Sequence, residues 1–398
     1  MDKQYNQRLA KIEEVLQAWL PENPNLDNKN WIERVFSRLP EAASELPQSL
    51  TLPSRDLLDR GGKRWRPLLM TLLCESLGGK DQALPLTPLV EFPHNASLIH
   101  DDIEDGSDKR RGEPAIHIRY GTDTAINSGA FLYFLSLACI EAWDASPERK
   151  TEAFSLWARY IRRLHLGQAM DIAWHRDFAS FPSIEAYNRM CRLKTGSLAA
   201  LAAALGALAA GAAGTCGNEK SRSDTTETAG AAEKTGTFGF IEKAGIIEKI
   251  EKIEKTEKTG ARINNFIESA EKLGMGFQIL DDVKNLTEGN PGKQRGDDVV
   301  EGKKSLPVLL YAKGQDQRKA FLGHCFSGAR KGGVEAPEVE RLIRELAGAG
   351  AITEAENAGR RYIAEARDFF ACQIGGKLLA GLAAFIGGGS DAPRSGNV

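Results

Sequence analysis

Two stretches of this chain hold residues whose types and spacing could do chemistry. The first, SLIHDDIEDGSDKRRGEPAIH (Ser97 to His117), sets Asp101, Asp102, Glu104, Asp105 and Asp108 directly before Lys109, Arg110 and Arg111. A solvated helix end with surface ion pairs is the plain reading of such a cluster, and pairs of that kind are individually weak. The order of signs argues for more. Leu98 and Ile99 lead into the acids, and Asp101 and Asp105 stand four apart, which on a helix puts both carboxylates on one face. Like charges at that spacing repel unless a cation lies between them, and all-oxygen ligation with room for water and substrate suits Mg²⁺. The arginines would then face an anion held by the metal.

The second stretch, GFQILDDVKNLTEGNPGKQRGDDVVEGKKSLP (Gly276 to Pro307), repeats the device with Asp281, Asp282 and Asn285, followed by Lys293, Lys303 and Lys304. Two copies of one order (apolar helix, Asp pair, oxygen ligand at the fourth position, basic loop) point to two metal-binding walls across a cleft and a shared, highly anionic ligand. Smaller motifs fit the same purpose. GGKRWRP (Gly61 to Pro67) places Lys63, Arg64 and Arg66 after two glycines, where backbone can approach an anion and an arginine can grip a phosphate with two donors. On its own it would be an ordinary surface loop. RLKTGSL offers Lys194 and Thr195 at the start of an alanine-rich helix, and GQAMD holds Gln168 and Asp171 three apart. Alone, these read as a helix start and a polar spot in a core helix. His94 and His100 flank the first acidic motif, where a lone histidine usually packs or caps.

The elements that must position these residues are helical. Apolar residues recur at three- and four-residue spacing over Ile12 to Leu20, Trp31 to Leu39, Arg66 to Leu77, Ala125 to Ala142 and Phe154 to Met170, while strand signals are nearly absent. The expected fold is all-α: a single large helical domain over residues 1–386. Pro85, Pro88 and Pro93 predict a helix start or bend before the first motif. Residues 215–260 turn to Gly, Ser, Thr, Glu and Lys and end in IEKIEKIEKTEK. A three-residue isoleucine period rotates each side chain back from the last, so a mobile or marginally helical insertion is expected. A disordered tail is expected over 387–398.

The 398 residues carry a formal net charge of −2, with 42 % hydrophobic and 27 % charged residues, so a sizeable core is expected and bulk nucleic-acid binding is not. Six cysteines without C-x-x-C or zinc-like spacing suit reduced thiols in the cytoplasm. The polar N-terminus is neither a signal nor a transit peptide, and the alanine-rich run Leu198 to Ala213 is shorter than the roughly 20 residues of a membrane span.

In sequence the motifs run basic clamp, acid wall with arginines, Gln/Asp, Lys-Thr, acid wall with lysines. That series resembles the trans-polyprenyl diphosphate synthases, the helical prenyltransferases that include farnesyl and geranylgeranyl diphosphate synthases, over about Leu57 to Leu310. The resemblance implies the isoprenoid-synthase helical bundle and three Mg²⁺ ions, held by Asp101 and Asp105 with Asp102 in support and by Asp281 with Asp282 and Asn285. It further implies contacts to an allylic diphosphate from Arg110, Lys194, Thr195, Gln278, Lys293 and Lys303, and to isopentenyl diphosphate from Lys63, Arg66, His94 and Arg111. Gln168 and Asp171 would stabilise the allylic cation. A homodimer is the family's usual state.

Asn285 and Ala130 stand where the family often has aspartate. Ala96 and Ser97, below Asp101, are too small to stop a growing chain. A product of twenty carbons or more follows, geranylgeranyl diphosphate favoured, with Phe92, Phe131, Tyr133 or Phe134 as floor. A class I terpene cyclase shares one acid motif but needs no second diphosphate site, so Lys63, Arg66 and Arg111 speak against it. A non-catalytic partner subunit would not be expected to keep both acid walls.

Overall fold

Amphipathic stretches dominate the sequence, and in the computed structural model they fold into helices. Residues 3–22, 29–37, 48–211, 239–289 and 294–388 are described. The N-terminal half comprises α1 (Lys3–Trp19), α2 (Lys29–Phe36), α3 (Leu52–Asp59), α4 (Trp65–Ser76), α5 (Pro88–Asp105), α6 (Ile116–Tyr120), α7 (Thr122–Ala142) and α8 (Pro147–Arg176). The remainder comprises α9 (Ile184–Cys191), α10 (Ser197–Ala209), α11 (Gly239–Thr287), α12 (Asp297–Glu301), α13 (Leu306–Ala312), α14 (Asp316–Gly332), α15 (Pro337–Gly348), α16 (Ala351–Ala371) and α17 (Lys377–Ile386). Among the described residues the only strand pairing is a two-residue hairpin, Lys109–Arg110 against Glu113–Pro114.

The alanine-rich α10 is the axis of the bundle, and every residue from Ser197 to Ala209 is buried. Small side chains allow this. Helices α4, α8 and α11 close around it, and a Cβ added at Gly206 would lie 2.6 Å from the Met70 carbonyl oxygen on α4. Helix α5 lies along α7, and α16 along α11. Two stretches, Thr122–Ala142 and Ile184–Ala209, are long and apolar enough to cross a bilayer, yet both are mostly buried inside the protein, as core helices are.

Two expectations need adjustment. Pro93 does not interrupt α5, which starts at Pro88 and runs through it to Asp105. The expected helix start falls at Pro88, whose missing N–H would be unpaired in the first turn in any case, whereas Pro93 is the sixth residue, inside the helix. The isoleucine repeat is part of α11, which is continuous from Gly239. Residues 246–259 contain neither glycine nor proline, so helix formation there does not depend on an apolar stripe. Residues 215–238 and the tail from 389 lie outside the described residues.

Candidate active site

Helix α5 ends at Gly106, in the left-handed conformation at φ 68°, and its last turn forms the first wall. Successive residues point about 100° apart on a helix, so an Asp-Asp pair cannot face one cleft together. Asp101 and Asp105 take the cleft side. Asp102 turns inward, is fully buried and accepts two hydrogen bonds from Arg110 Nε, at 2.9 and 3.1 Å, with a closer contact from Nη2. Burial alone would lower the Arg110 pKa, but Asp102 outweighs it and holds the guanidinium above its ordinary value. Asp102 therefore aims Arg110 instead of joining the metal-facing oxygens. Arg111 has φ 54° and sends Nη1 to the Leu57 carbonyl at 2.8 Å and to Asn95 Oδ1 at 3.3 Å.

The second wall repeats this division. Asp281 is exposed on α11, whereas Asp282 is buried and accepts from the Tyr187 hydroxyl at 2.7 Å and from Gln278 Nε2 at 2.8 Å. Asn285 corrects the expectation most clearly. It is 1 % exposed, and its amide oxygen accepts from the Asp298 backbone N–H at 3.2 Å, at the start of α12. The oxygen expected to bind metal ties α11 to α12. The middle residue of the expected set, Asp282, likewise braces the wall from behind.

Between the walls stand cations and amides. Lys194 Nζ reaches Asp171 at 2.6 Å and Asp101 at 3.3 Å, and Gln168 Nε2 donates to Asp101 at 2.8 Å and to Glu104 at 2.5 Å. Lys303 Nζ spans the cleft, 3.2 Å from Asp105 on the first wall and 2.6 Å from Glu301 and 3.5 Å from Asp298 on α12, the helix that Asn285 ties to the second wall. Burial disfavours charge on Lys194, but Asp101 and Asp171 outweigh it and raise its pKa; Asp105 and Glu301 do the same for Lys303. Asp171, buried beside Lys194 and Lys303, is held below the usual carboxylate range.

Lys194 and Thr195 lie on a π-helical turn, Arg192–Gly196, between α9 and α10. Wide turns of this kind mark functional positions in many helices. Two glycines admit it: a Cβ at Gly167 of α8 would sit 2.3 Å from the Lys194 backbone nitrogen, and one at Gly274 of α11 would sit 2.9 Å from the Gly196 Cα. Thr195 donates to Gln278 at 2.6 Å, which links this turn to Asp282 on the second wall.

A second cluster lies at the start of α4. Arg66 is buried, its Nε has no hydrogen-bond partner, and burial pushes its pKa down to about 10. Arg111 is lowered to about 10 by burial and then by Arg64, and His94 is held well below its ordinary value by burial and by Arg66, Arg111, Arg64 and Arg110. Lys63 lies 5.6 Å from the Phe277 ring and 5.5 Å from the Phe385 ring, and burial lowers its pKa too, with Asp281 opposing. His94 feels both Arg66 and Arg111, and this basic group, with Lys63 exposed on the loop before α4, fits an anion-binding site. Arg64 is not part of it. It turns inward to Glu13 at 2.7 Å and Glu91 at 3.0 Å and braces the loop. Lys293 lies outside the described residues.

Some participants were not singled out from sequence. His175 is buried seven residues beyond Gln168 and four beyond Asp171, so i, i+3, i+7 spacing on α8 was the available signal. Tyr187 carried none, because its partner Asp282 is 95 residues away. Tyr133 was among the floor candidates, and its ring lies 5.9 Å from His100 and 5.5 Å from His165. Of the others, Phe134 is 67 % exposed and cannot floor a buried tunnel, and Phe131 stacks on Phe36.

Among the described residues no three His, Cys, Asp or Glu side chains converge on one point as a metal cage. Mg²⁺ does not need one, because it binds through one or two carboxylates and completes its shell with water and substrate phosphates. Asp101 and Asp105 already hold cations, the ammonium groups of Lys194 and Lys303, so the donors fit a divalent ion shared with a phosphate ligand.

The helical bundle has counterparts among solved structures. A polyprenyl synthase from Caulobacter crescentus CB15, solved with calcium and isoprenyl diphosphate, superposes with a TM-score of 0.68 at 22 % identity, covering 98 % of this chain and 96 % of that one. Geranylgeranyl pyrophosphate synthase of Geoglobus acetivorans is 31 % identical over 323 residues, 81 % of this chain and 84 % of the relative. Geranylfarnesyl diphosphate synthase of Aeropyrum pernix is 31 % identical over 335 residues, 81 % of this chain and 87 % of the relative. The polyprenyl synthetase family profile matches residues 47–232 and 233–345, and the chain belongs to that family. It is an enzyme, a prenyltransferase.

Proposed function

We propose that the enzyme condenses isopentenyl diphosphate with an allylic diphosphate to give a trans-polyprenyl diphosphate of twenty carbons or more, geranylgeranyl diphosphate being the favoured product. One observation carries the reading: Arg66, buried and with its Nε unpartnered, gathers with His94 and Arg111 into a basic group beside the acid walls, in addition to the cations between them, and gives a second diphosphate its own place. A terpene cyclase has no use for that place.

Asp101, Asp105 and Asp281 would hold the metal, Mg²⁺ in three copies, with Asp102, Asp282 and Asn285 supporting. Bound metal supplies electrostatic stabilisation of the leaving pyrophosphate. Lys194, Lys303 and Arg110 add fixed positive charge at the same place, and Thr195, Gln278 and Lys293 complete the allylic contacts. Because Lys194 and Lys303 rest on Asp101 and Asp105, binding of substrate exchanges those ion pairs for pairs with phosphate. The allylic carbon–oxygen bond breaks and its electrons leave with pyrophosphate. The isopentenyl double bond attacks the allylic cation, a carbon–carbon bond forms, and the proton lost passes to pyrophosphate. Gln168 and Asp171 face the cation. Lys63, Arg66, His94 and Arg111 hold the second diphosphate and so align that double bond.

The expected tail path descends along α5. Ser97 and Ala96 lie four and five residues before Asp101, about 6 and 7.5 Å down the helix, and Ala96 is fully buried. Tyr133 on α7 interacts with Ser97 and is the aromatic candidate beside this path. The names of the relatives support a long product: they include geranylgeranyl and geranylfarnesyl synthases. Incubation with isopentenyl diphosphate and each allylic diphosphate, with products sized by mass spectrometry, tests the reading. Wild type should give twenty carbons, and Ala96→Phe should shift the product to fifteen. A wild-type product that stops at fifteen, or an unchanged length in Ala96→Phe, would contradict it.

A further inference from the structure

Lys303 bridges the walls, and the turn beneath it is built in a way that the chemistry described so far does not use. Its neighbour Lys304 is 2 % exposed, and Nζ donates to the Gly302 carbonyl at 3.0 Å. Three ring centroids surround that ammonium: Phe326 at 4.5 Å, Phe181 at 5.4 Å and Phe178 at 5.6 Å. Arg330 on α14 lies 4.4 Å over Phe178 and donates from Nη2 to the Glu301 carbonyl at 2.7 Å and the His175 carbonyl at 3.2 Å. Gly302 has φ 79°, and a Cβ there would meet the Phe178 ring at 2.5 Å, so the turn is pressed against the same ring. The Lys303 backbone N–H donates to the Asp298 carbonyl at 2.9 Å. Residues 301, 302 and 303 are thus each fastened through the main chain, the first two by cations standing on phenylalanines.

A buried ammonium is a costly way to fill an apolar space. Burial pulls the Lys304 pKa down to about 8, with Asp177 opposing. A leucine or methionine would pack there more cheaply but could not hold the Gly302 carbonyl. Lysine side chains are otherwise flexible, and a fixed turn reduces the freedom lost when the ammonium of Lys303 meets its ligand. We propose that Lys304 and Arg330 are positioning residues, which lock the 301–303 turn on a phenylalanine cage so that Lys303 is presented to the allylic diphosphate. The proposal rests on the reading of Lys303 as a diphosphate contact.

The test is steady-state kinetics with each substrate varied separately, on full-length Lys304→Met, Arg330→Ala, Lys303→Ala and the Lys303→Ala/Lys304→Met double variant, with melting curves alongside. Lys304→Met keeps the cage filled and should raise the KM for the allylic diphosphate about tenfold, the scale of one lost hydrogen bond in a charged site. The KM for isopentenyl diphosphate should stay within about twofold, a separation that general loosening of the fold would not produce. Lys304 acts through Lys303, so the double variant should be no worse than Lys303→Ala. Arg330 is exposed, and its alanine variant should fold and show the same separation even if Lys304→Met does not fold. Equal rises in both KM values, additive losses in the double variant, or no shift in Arg330→Ala would overturn the proposal. If Lys303→Ala leaves the allylic KM untouched, the role assigned to Lys303 is wrong and the clamp falls with it. If Lys303→Ala has its effect and Lys304→Met has none, only the clamp fails.

Discussion

At the scale of residues, each acidic motif divides its labour: one aspartate faces the cleft and its neighbour braces the wall. Asp281→Ala should lower turnover by at least about 10²-fold, by analogy with loss of one positioned electrostatic stabiliser. Asn285→Ala should behave differently. It loses the hydrogen bond from Asp298 and should cost about 1 kcal/mol of stability, leaving the metal concentration for half-maximal activity unchanged. Urea denaturation and a metal titration separate the two outcomes, and a large shift in metal requirement would restore Asn285 as a ligand. The residue types at the site were legible in sequence; their facing was legible only in part. Angular spacing alone separates Asp101 from Asp102. It cannot show that Arg64 turns to Glu91 while Arg66 stays unpaired, because those partners arrive from distant segments.

His94 carries the clearest pH dependence. The unfolded imidazole takes up a proton near pH 6.5, whereas the folded one, half-buried and facing Arg66 and Arg111, resists protonation well below that value. The stability it contributes is complete above pH 6.5 and is lost as pH falls, by up to about 1.4 kcal/mol per pH unit. His94→Gln should flatten that part of the stability curve between about pH 6.5 and 5. Parallel curves for the two proteins would refute the assignment.

At the scale of elements, period and small residues account for most of what could be foreseen. The amphipathic helices follow from apolar spacing, and the burial of α10 from its alanines. The π turn at Arg192–Gly196 was not foreseeable, since it depends on close approach of α8 and α11 at Gly167 and Gly274. Of the two states expected for the insertion, mobile or marginally helical, residues 239–260 take the helical one, because an absent apolar stripe says little when strong helix formers continue an already packed helix. We propose that residues 215–260 are dispensable for chemistry. The first fully core-facing residue described beyond them is Ile263, 1 % exposed, and Gln278 and Asp281 follow several turns later. A short Gly/Ser linker in place of 215–260 should leave turnover and melting temperature nearly unchanged. A collapse of either would show that the segment supports α11.

At the scale of the whole molecule, apolar side chains remain uncovered on one set of neighbouring helices: Ile118 on α6, Ile126 and Phe134 on α7, and Leu166 on α8. We propose that the homodimer implied by the sequence resemblance covers them. Phe134→Glu should yield monomers by sedimentation velocity, and an unchanged dimer would place the interface elsewhere. Within the cleft, divalent metal and fixed cations have one proposed task, stabilising the pyrophosphate that leaves the allylic substrate. It is tested most directly by turnover of isopentenyl diphosphate and farnesyl diphosphate before EDTA, in EDTA, and after restoring excess Mg²⁺. Geranylgeranyl diphosphate, no turnover in EDTA and full recovery with Mg²⁺ are expected; undiminished turnover in EDTA would contradict a role for the metal.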